Sequence, residues 1–214
     1  MLNQQAYKTV QAYGFDEFII NKSRFIGHAK PVASQEEALA FLQELRQRYK
    51  DASHNCFAYV IGQNAGIQRY SDDGEPSGTA GLPIIEVVKA QGVVDVCVVV
   101  TRYFGGILLG AAGLVRAYTQ GAAVALKAAG VVTMHRTHRY LFDVDYPLLG
   151  RLEHWLEGQP ARVEQKDFGA CVTFELSVRE ADAPAFLEGL RQVSLGRIEP
   201  LLAEESYQGW AGEA

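Results

Sequence analysis

Apolar and polar positions along this chain switch repeatedly between the two-residue period of strands and the 3.6-residue period of helices. Residues 17–32 read as two strands separated by a break at residues 21–23. Ser34 follows as an N-cap with Glu37 three residues on, the spacing of a capping box. Across residues 35–49 a helix would then place Ala38, Phe41, Leu42 and Leu45 on one face. HNCFAYVIG, from His54 to Gly62, predicts a strand, and Asn64 to Gly66 a turn. Residues 71–78 are too rich in Gly, Pro and Asp for regular structure, whereas residues 79–91 read as a helix with Pro83 in its first turn. The β-branched run at residues 93–101 predicts a central strand, and residues 110–129 a long helix stopped by Gly130.

The pattern restarts near Val132. A strand at residues 138–146, a proline-opened helix at 147–157, a hairpin pair at 161–166 and 171–178, a helix at 180–193 and a strand at 197–203 follow in turn. That β-α-β-β-α-β order is the split βαβ, ferredoxin-like plan. The expected class is therefore α+β, two α/β sandwich domains, the first over residues 1–133 and the second over 134–206. A small, polar tail at 207–214 is expected to fray.

Composition narrows the partners. At 214 residues, 48% hydrophobic and 21% charged, the chain has room for one large domain or two small ones. The net charge is −5, unevenly spread: residues 1–133 hold 12 Lys and Arg against 11 Asp and Glu, and residues 134–214 hold 8 against 14. Such balances of +1 and −6 argue against indiscriminate duplex binding, which needs a broad cationic face, and leave room for a local basic patch on the first domain. Runs such as VCVVV and GILLGAAGLV are too short or too glycine-rich to span a bilayer, and MLNQQAYKTV has no secretory h-region. The expected location is the cytoplasm, away from membranes. Cys56, Cys97 and Cys171 are odd in number, widely spaced and set in apolar runs, which fits buried thiols.

Candidate chemistry concentrates in VVDVCVVVTRYFGGILLGAAGLVRAY, from Val93 to Tyr118. A strand, a glycine turn and a helix start can turn backbone amides toward an anion. Ala111 and Ala112 stand where a phosphate loop needs Lys and Ser or Thr, and Ile107 replaces the second glycine of a dinucleotide fingerprint, so neither motif is present. Arg102, Tyr103, Gly105, Gly106, Gly110 and Arg116 remain as candidate anion or nucleic-acid contacts, Arg102 being placed just after the strand. The competing reading is a tight turn with Arg102 in a structural ion pair. Lys22, Ser23 and Arg24, with Lys30 beyond them, read either as a phosphate-facing cluster or as a charged strand edge. Asp72, Asp73 and Glu75 crowd carboxylates into one loop; they suit a divalent cation or, equally, turn capping and salt bridges to Arg102 or Arg24. His54 and Cys56 share a strand face without a second pair to complete a zinc site. No G-x-S-x-G elbow or other activated nucleophile occurs, so no catalytic residue, metal or cofactor is expected.

KSRFIG (Lys22 to Gly27), HNCFAYVIG (His54 to Gly62), SDDGEPSGTAGLP (Ser71 to Pro83) and VVVTRYFGGILLGAAGLVRAY, in that order, closely resemble the YigZ/IMPACT family. The remainder is similar to the smaller second domain of the bacterial members. The resemblance implies a first domain like domain IV of translational GTPases and certain ribosomal proteins, and a second like domain V of elongation factor G. It also implies a non-enzymatic, translation-associated protein that binds RNA, the ribosome or a translation-regulatory partner, because eukaryotic IMPACT competes for the activator of a kinase that acts on a translation initiation factor. A small enzyme or sensor acting on a phosphorylated small molecule or nucleotide is the alternative. The oligomeric state is not legible in the sequence.

Overall fold

The computed structural model describes residues 6–210, which form an α+β structure of two compact units, one up to Thr133 and the other from Met134 to Gly209. The first comprises β1 (Ala6–Val10), β2 (Gly14–Ile20), β3 (Ser23–Pro31), α1 (Gln35–Arg48), β4 (His54–Ile61), β5 (Ile67–Ser71), α2 (Gly81–Ala90), β6 (Val96–Tyr103) and α3 (Gly110–Ala129). Its sheet runs β2-β3-β6-β4-β5, antiparallel throughout. β6 is central because both of its faces are covered. Val96, Val98 and Val100 enter the core shared with α2 and α3, while Cys97 and Val99 enter the core shared with α1. Two-sided burial is why this strand reads as an unbroken β-branched run.

Local signals set several boundaries. Ser34 Oγ accepts from the Glu37 amide at 3.2 Å, and the Glu37 carboxylate reaches back to the Ala33 amide at 2.8 Å. Ala38, Phe41, Leu42 and Leu45 are the buried residues of α1. The break between β2 and β3 is a two-residue hairpin turn in which Asn21 and Lys22 both take positive φ, 45° and 63°. Turns of that hand match the twist of the flanking strands.

Three expectations are corrected. The central strand starts at Val96 and continues through Arg102 and Tyr103, so those two lie within the sheet rather than after it; Val93 forms a lone bridge to Lys8, and Asp95 leaves the strand to take the Gly62 amide at 2.7 Å. β5 at Ile67–Ser71 was not anticipated, because this edge strand is largely exposed and lacks a clean alternation. The last strand, β10, is Leu201–Gly209 rather than residues 197–203, and so occupies part of the expected tail; residues 211–214 of that tail lie outside the described residues.

The second unit comprises β7 (Val131–Val144) from Met134 onward, α4 (Tyr146–Leu156), β8 (Ala161–Phe168), β9 (Val172–Arg179), α5 (Ala183–Ser194) and β10, its strands pairing in the order β10-β7-β9-β8, again antiparallel. Each βαβ pair therefore brackets a strand of the other. Phe142 and Phe174 stack at 5.7 Å, and Leu152, Phe186 and Leu190 close the core from α4 and α5. No described helix is long and apolar enough to cross a membrane.

Candidate functional site

The acidic loop between β5 and α2 is held from inside. Asp72 accepts three backbone amides: Oδ1 from Ala80 at 3.0 Å and Gly81 at 2.8 Å, Oδ2 from Gly78 at 2.9 Å. It thus caps α2, whose own N-cap, Ala80, has no side chain able to do so. Desolvation works to raise the Asp72 carboxyl, and the amides of Gly78, Gly81 and Ala80 outweigh it, leaving its pKa below the usual aspartate value. Asp73 pairs with Arg46 at 2.6 Å and accepts the Asn55 amide at 2.7 Å. Among the described residues no group of three or more His, Cys, Asp or Glu side chains converges as cation ligands would.

Linkage makes Asp72 testable. Because its folded pKa is depressed, its contribution is fully present above the unfolded value, about 3.9 for Asp, and is lost as pH falls through the folded value. Asp72→Ala is expected to cost about 1 to 2 kcal/mol at pH 7, the loss typical of a helix cap. Thermal melts of parent and variant from pH 7 to pH 3 should show the gap narrowing below about pH 4. A gap that stays constant would mean the carboxylate is not the active feature.

Arg102 and Glu75 form the buried centre of the site. Their side chains are 6% and 3% exposed, and Arg102 Nη1 donates to Glu75 Oε1 at 2.6 Å. Tyr118, from the buried face of α3, donates its hydroxyl to the same oxygen at 2.7 Å. Arg102 Nη2 reaches Ser23 Oγ at 3.4 Å, its guanidinium lies 5.4 Å from the rings of both Phe25 and Phe104, and its Nε is buried without a hydrogen-bond partner. His54 Nδ1 lies 2.8 Å from the Asp73 carbonyl oxygen, and Nε2 lies 3.9 Å from Glu75 Oε1. Cys56 Sγ donates to the Asp72 carbonyl at 2.9 Å, and burial pushes this thiol up to about 12, so it is no nucleophile near neutrality.

The structure divides the sequence candidates into an inner and an outer set. Arg102, Glu75, Ser23, Asp72, Asp73 and His54 are joined through the loop and its neighbours. Lys22 and Arg24 are exposed on the β2–β3 hairpin, and Arg116 is exposed on α3. Arg24 pairs with Glu17 rather than with the acidic loop, and sits 5.9 Å over the Tyr103 ring. Gly105 explains how hairpin and turn are joined: a Cβ there would collide with the Lys22 backbone, and its amide donates to Ser23 Oγ at 3.1 Å. Gly106 and Gly110 have φ of 82° and 69°, where an L side chain is strained. Beside them lies a cleft of about 410 Å³, lined by His54, Glu75, Arg102, Phe104, Leu108 and the first turn of α3. Tyr118, Phe104 and Arg46 are site residues missing from the sequence candidates. A lone Tyr on the small-residue face of α3 was the available signal for the first; the others depend on tertiary placement.

Two family models match the chain, the Impact N-terminal domain over residues 21–126 and a domain of unknown function (DUF1949) over residues 142–197. "IMPACT family member YvyE" of Bacillus subtilis is 41% identical over 202 residues, covering 94% of this chain and 93% of that protein. "IMPACT family member YigZ" of Escherichia coli is 35% identical over 188 residues, 87% and 92% of the two chains. "Protein IMPACT" of Xenopus laevis is 39% identical over 95 residues, 42% of this chain and 30% of that one. A solved structure described as a hypothetical protein superposes with a TM-score of 0.60 at 32% identity, over 94% of this chain and 98% of the other.

Proposed function

As the chain belongs to the IMPACT family, we propose that it is a non-enzymatic, translation-associated protein of the cytoplasm whose first unit engages RNA. The observation that carries this reading is the division of labour at the site. The carboxylates of the acidic loop are occupied by backbone amides, Arg46, Arg102 and Tyr118. Of the cations singled out in the sequence, Lys22, Arg24 and Arg116 are exposed, and the ring of Phe104, on the turn after β6, is half-exposed. The Arg24–Glu17 pair is about half exposed on both sides, so it costs little to exchange for a phosphate. Cations plus accessible aromatic rings are what single-stranded nucleic acid uses, through its backbone charge and base faces. The strand order of the second unit supports a ferredoxin-like assignment, and likeness of the first unit to domain IV of translational GTPases and certain ribosomal proteins, and of the second to domain V of elongation factor G, is part of the same proposal.

The test is a salt series. A fluorescent 12-nucleotide single-stranded RNA should bind at low salt and weaken as salt rises, and each phosphate-contacting cation removed in the set Lys22→Ala, Arg24→Ala and Arg116→Ala should reduce the slope of log affinity against log salt by about one. Absence of binding at 50 mM salt, or a slope untouched by all three substitutions, would overturn the reading.

A further inference from the structure

The cleft above α3 is shaped for more than a track of phosphates. Its volume, about 410 Å³, falls within the range of small-molecule sites. One wall is the start of α3, a helix from Gly110 to Ala129 whose N-cap, Leu109, supplies no side-chain acceptor and whose first turn contains no acidic residue. The amides of Gly110 and Ala111, which line the cleft, thus stand at the positive end of a long helix without a side-chain cap.

An independent feature points the same way. Arg102, 5% exposed and also lining the cleft, keeps its Nε buried without a partner although Nη1 and Nη2 are engaged. A buried donor left unsatisfied inside a folded protein is costly unless something else fills it. His54 adds an acceptor. A carbonyl oxygen can only accept, so Nδ1 must donate to Asp73, and neutral His54 then has a lone pair at Nε2, too far from Glu75 for a hydrogen bond. The rest of the lining is mostly apolar, with Phe104 48% exposed and Leu108 85% exposed, and includes Ser53 and Glu75, whose carboxylate is paired with Arg102.

The geometry points to recognition of a single nucleotide bearing a terminal phosphomonoester, either at the end of an RNA strand or as a free nucleoside monophosphate. The phosphate would be held by the α3 amides and Arg102, the base would lie against Phe104 and Leu108, and a ribose hydroxyl would donate to His54 Nε2. This deepens the RNA reading above, and rests on it only for the strand.

Three probes separate the sources: a 12-nucleotide RNA with a 5′-phosphate, the same RNA with a 5′-hydroxyl, and adenosine 5′-monophosphate. We expect the phosphorylated RNA to bind at least tenfold more tightly than the hydroxyl form, and adenosine 5′-monophosphate to compete with it. Leu108→Glu, an exposed change that leaves the fold intact, should abolish that preference by setting a carboxylate at the cleft mouth, and His54→Ala should weaken both phosphorylated probes. Equal binding of the two RNAs with no monophosphate binding would overturn the nucleotide site while leaving the surface RNA reading in place. Monophosphate binding, sensitive to Leu108→Glu, without binding of either RNA would uphold the site and overturn the RNA reading. Monophosphate binding that ignores both substitutions would place the ligand elsewhere and overturn the assignment.

Discussion

Glu75→Ala should lower the stability of the first unit by about 3 to 5 kcal/mol, the range for leaving a buried charge without its partner. Glu75 is 8% exposed, and its Oε1 takes both Arg102 Nη1 and the Tyr118 hydroxyl. Truncation strands a guanidinium and a phenol in the interior. The phenol cannot escape by ionising, since burial first, then Cys56 and Glu75, raises the Tyr118 pKa. Hydrogen exchange at the amides of β3 and β6 reads the loss within this unit and avoids treating a two-unit chain as one transition. Glu75→Gln, which keeps the acceptor and loses the charge, should fall between parent and Glu75→Ala. Adding Arg102→Met to Glu75→Ala should recover much of the loss, because the stranded charge is then gone. If Glu75→Ala protected these amides as well as the parent does, the pair would not be what secures the loop.

Gly27→Val should be comparably severe, about 3 kcal/mol or more, at the upper end of what overpacking costs. Here strand and helix touch backbone to backbone. A Cβ on Gly27 would run into the Gly121 carbonyl of α3, and one on Gly121 would run into the Val100 side chain of β6. A carbonyl within a helix cannot rotate away as a side chain can, so relief requires moving α3 off the sheet and opening the core around Phe25, Tyr118 and Ala125. Gly92→Ala is the comparison: it has positive φ but nothing within 4 Å, and should cost less than Gly27→Val. Denaturant unfolding followed at the first unit's amides would rank them, and a smaller effect for Gly27→Val would show that α3 can slide.

What the sequence announced was whatever is settled within a turn or two of chain. Ser34 and Glu37 marked the start of α1, and Gly110 and Gly130 marked both ends of α3. Burial on two faces made β6 visible as a run of valines, although its end was misjudged because Arg102 and Tyr103 do not look like strand interior. β5 and the far half of β10 were hidden for a different reason: both are mostly exposed, and the pairing that defines β10, with Met134 to Leu141, spans more than half of the second unit. The inner part of the site followed the same rule. The acidic loop could be read as a capping device from its composition, and Asp72 acts as one, but Tyr118 is 43 residues from Glu75 and Arg102 is 27. Nothing local says that the three meet.

The order of strands in the first sheet also constrains how this protein comes into being. β2 with β3 and β4 with β5 are hairpins of neighbouring segments, yet they do not pair with each other; β6, last of the five in the chain, lies between them. No route can finish the sheet before Tyr103 has been synthesised and has left the exit tunnel. Until then two ribbons wait with open inner edges, β3 and β4, each offering unpaired amides and carbonyls to whatever strand arrives first. Closing a loop of some sixty-five residues between the β3 and β6 partners Pro31 and Val96 is entropically dear. The nascent chain is therefore most vulnerable to misplaced pairing in the interval between its seventy-first and its hundred-and-third residue.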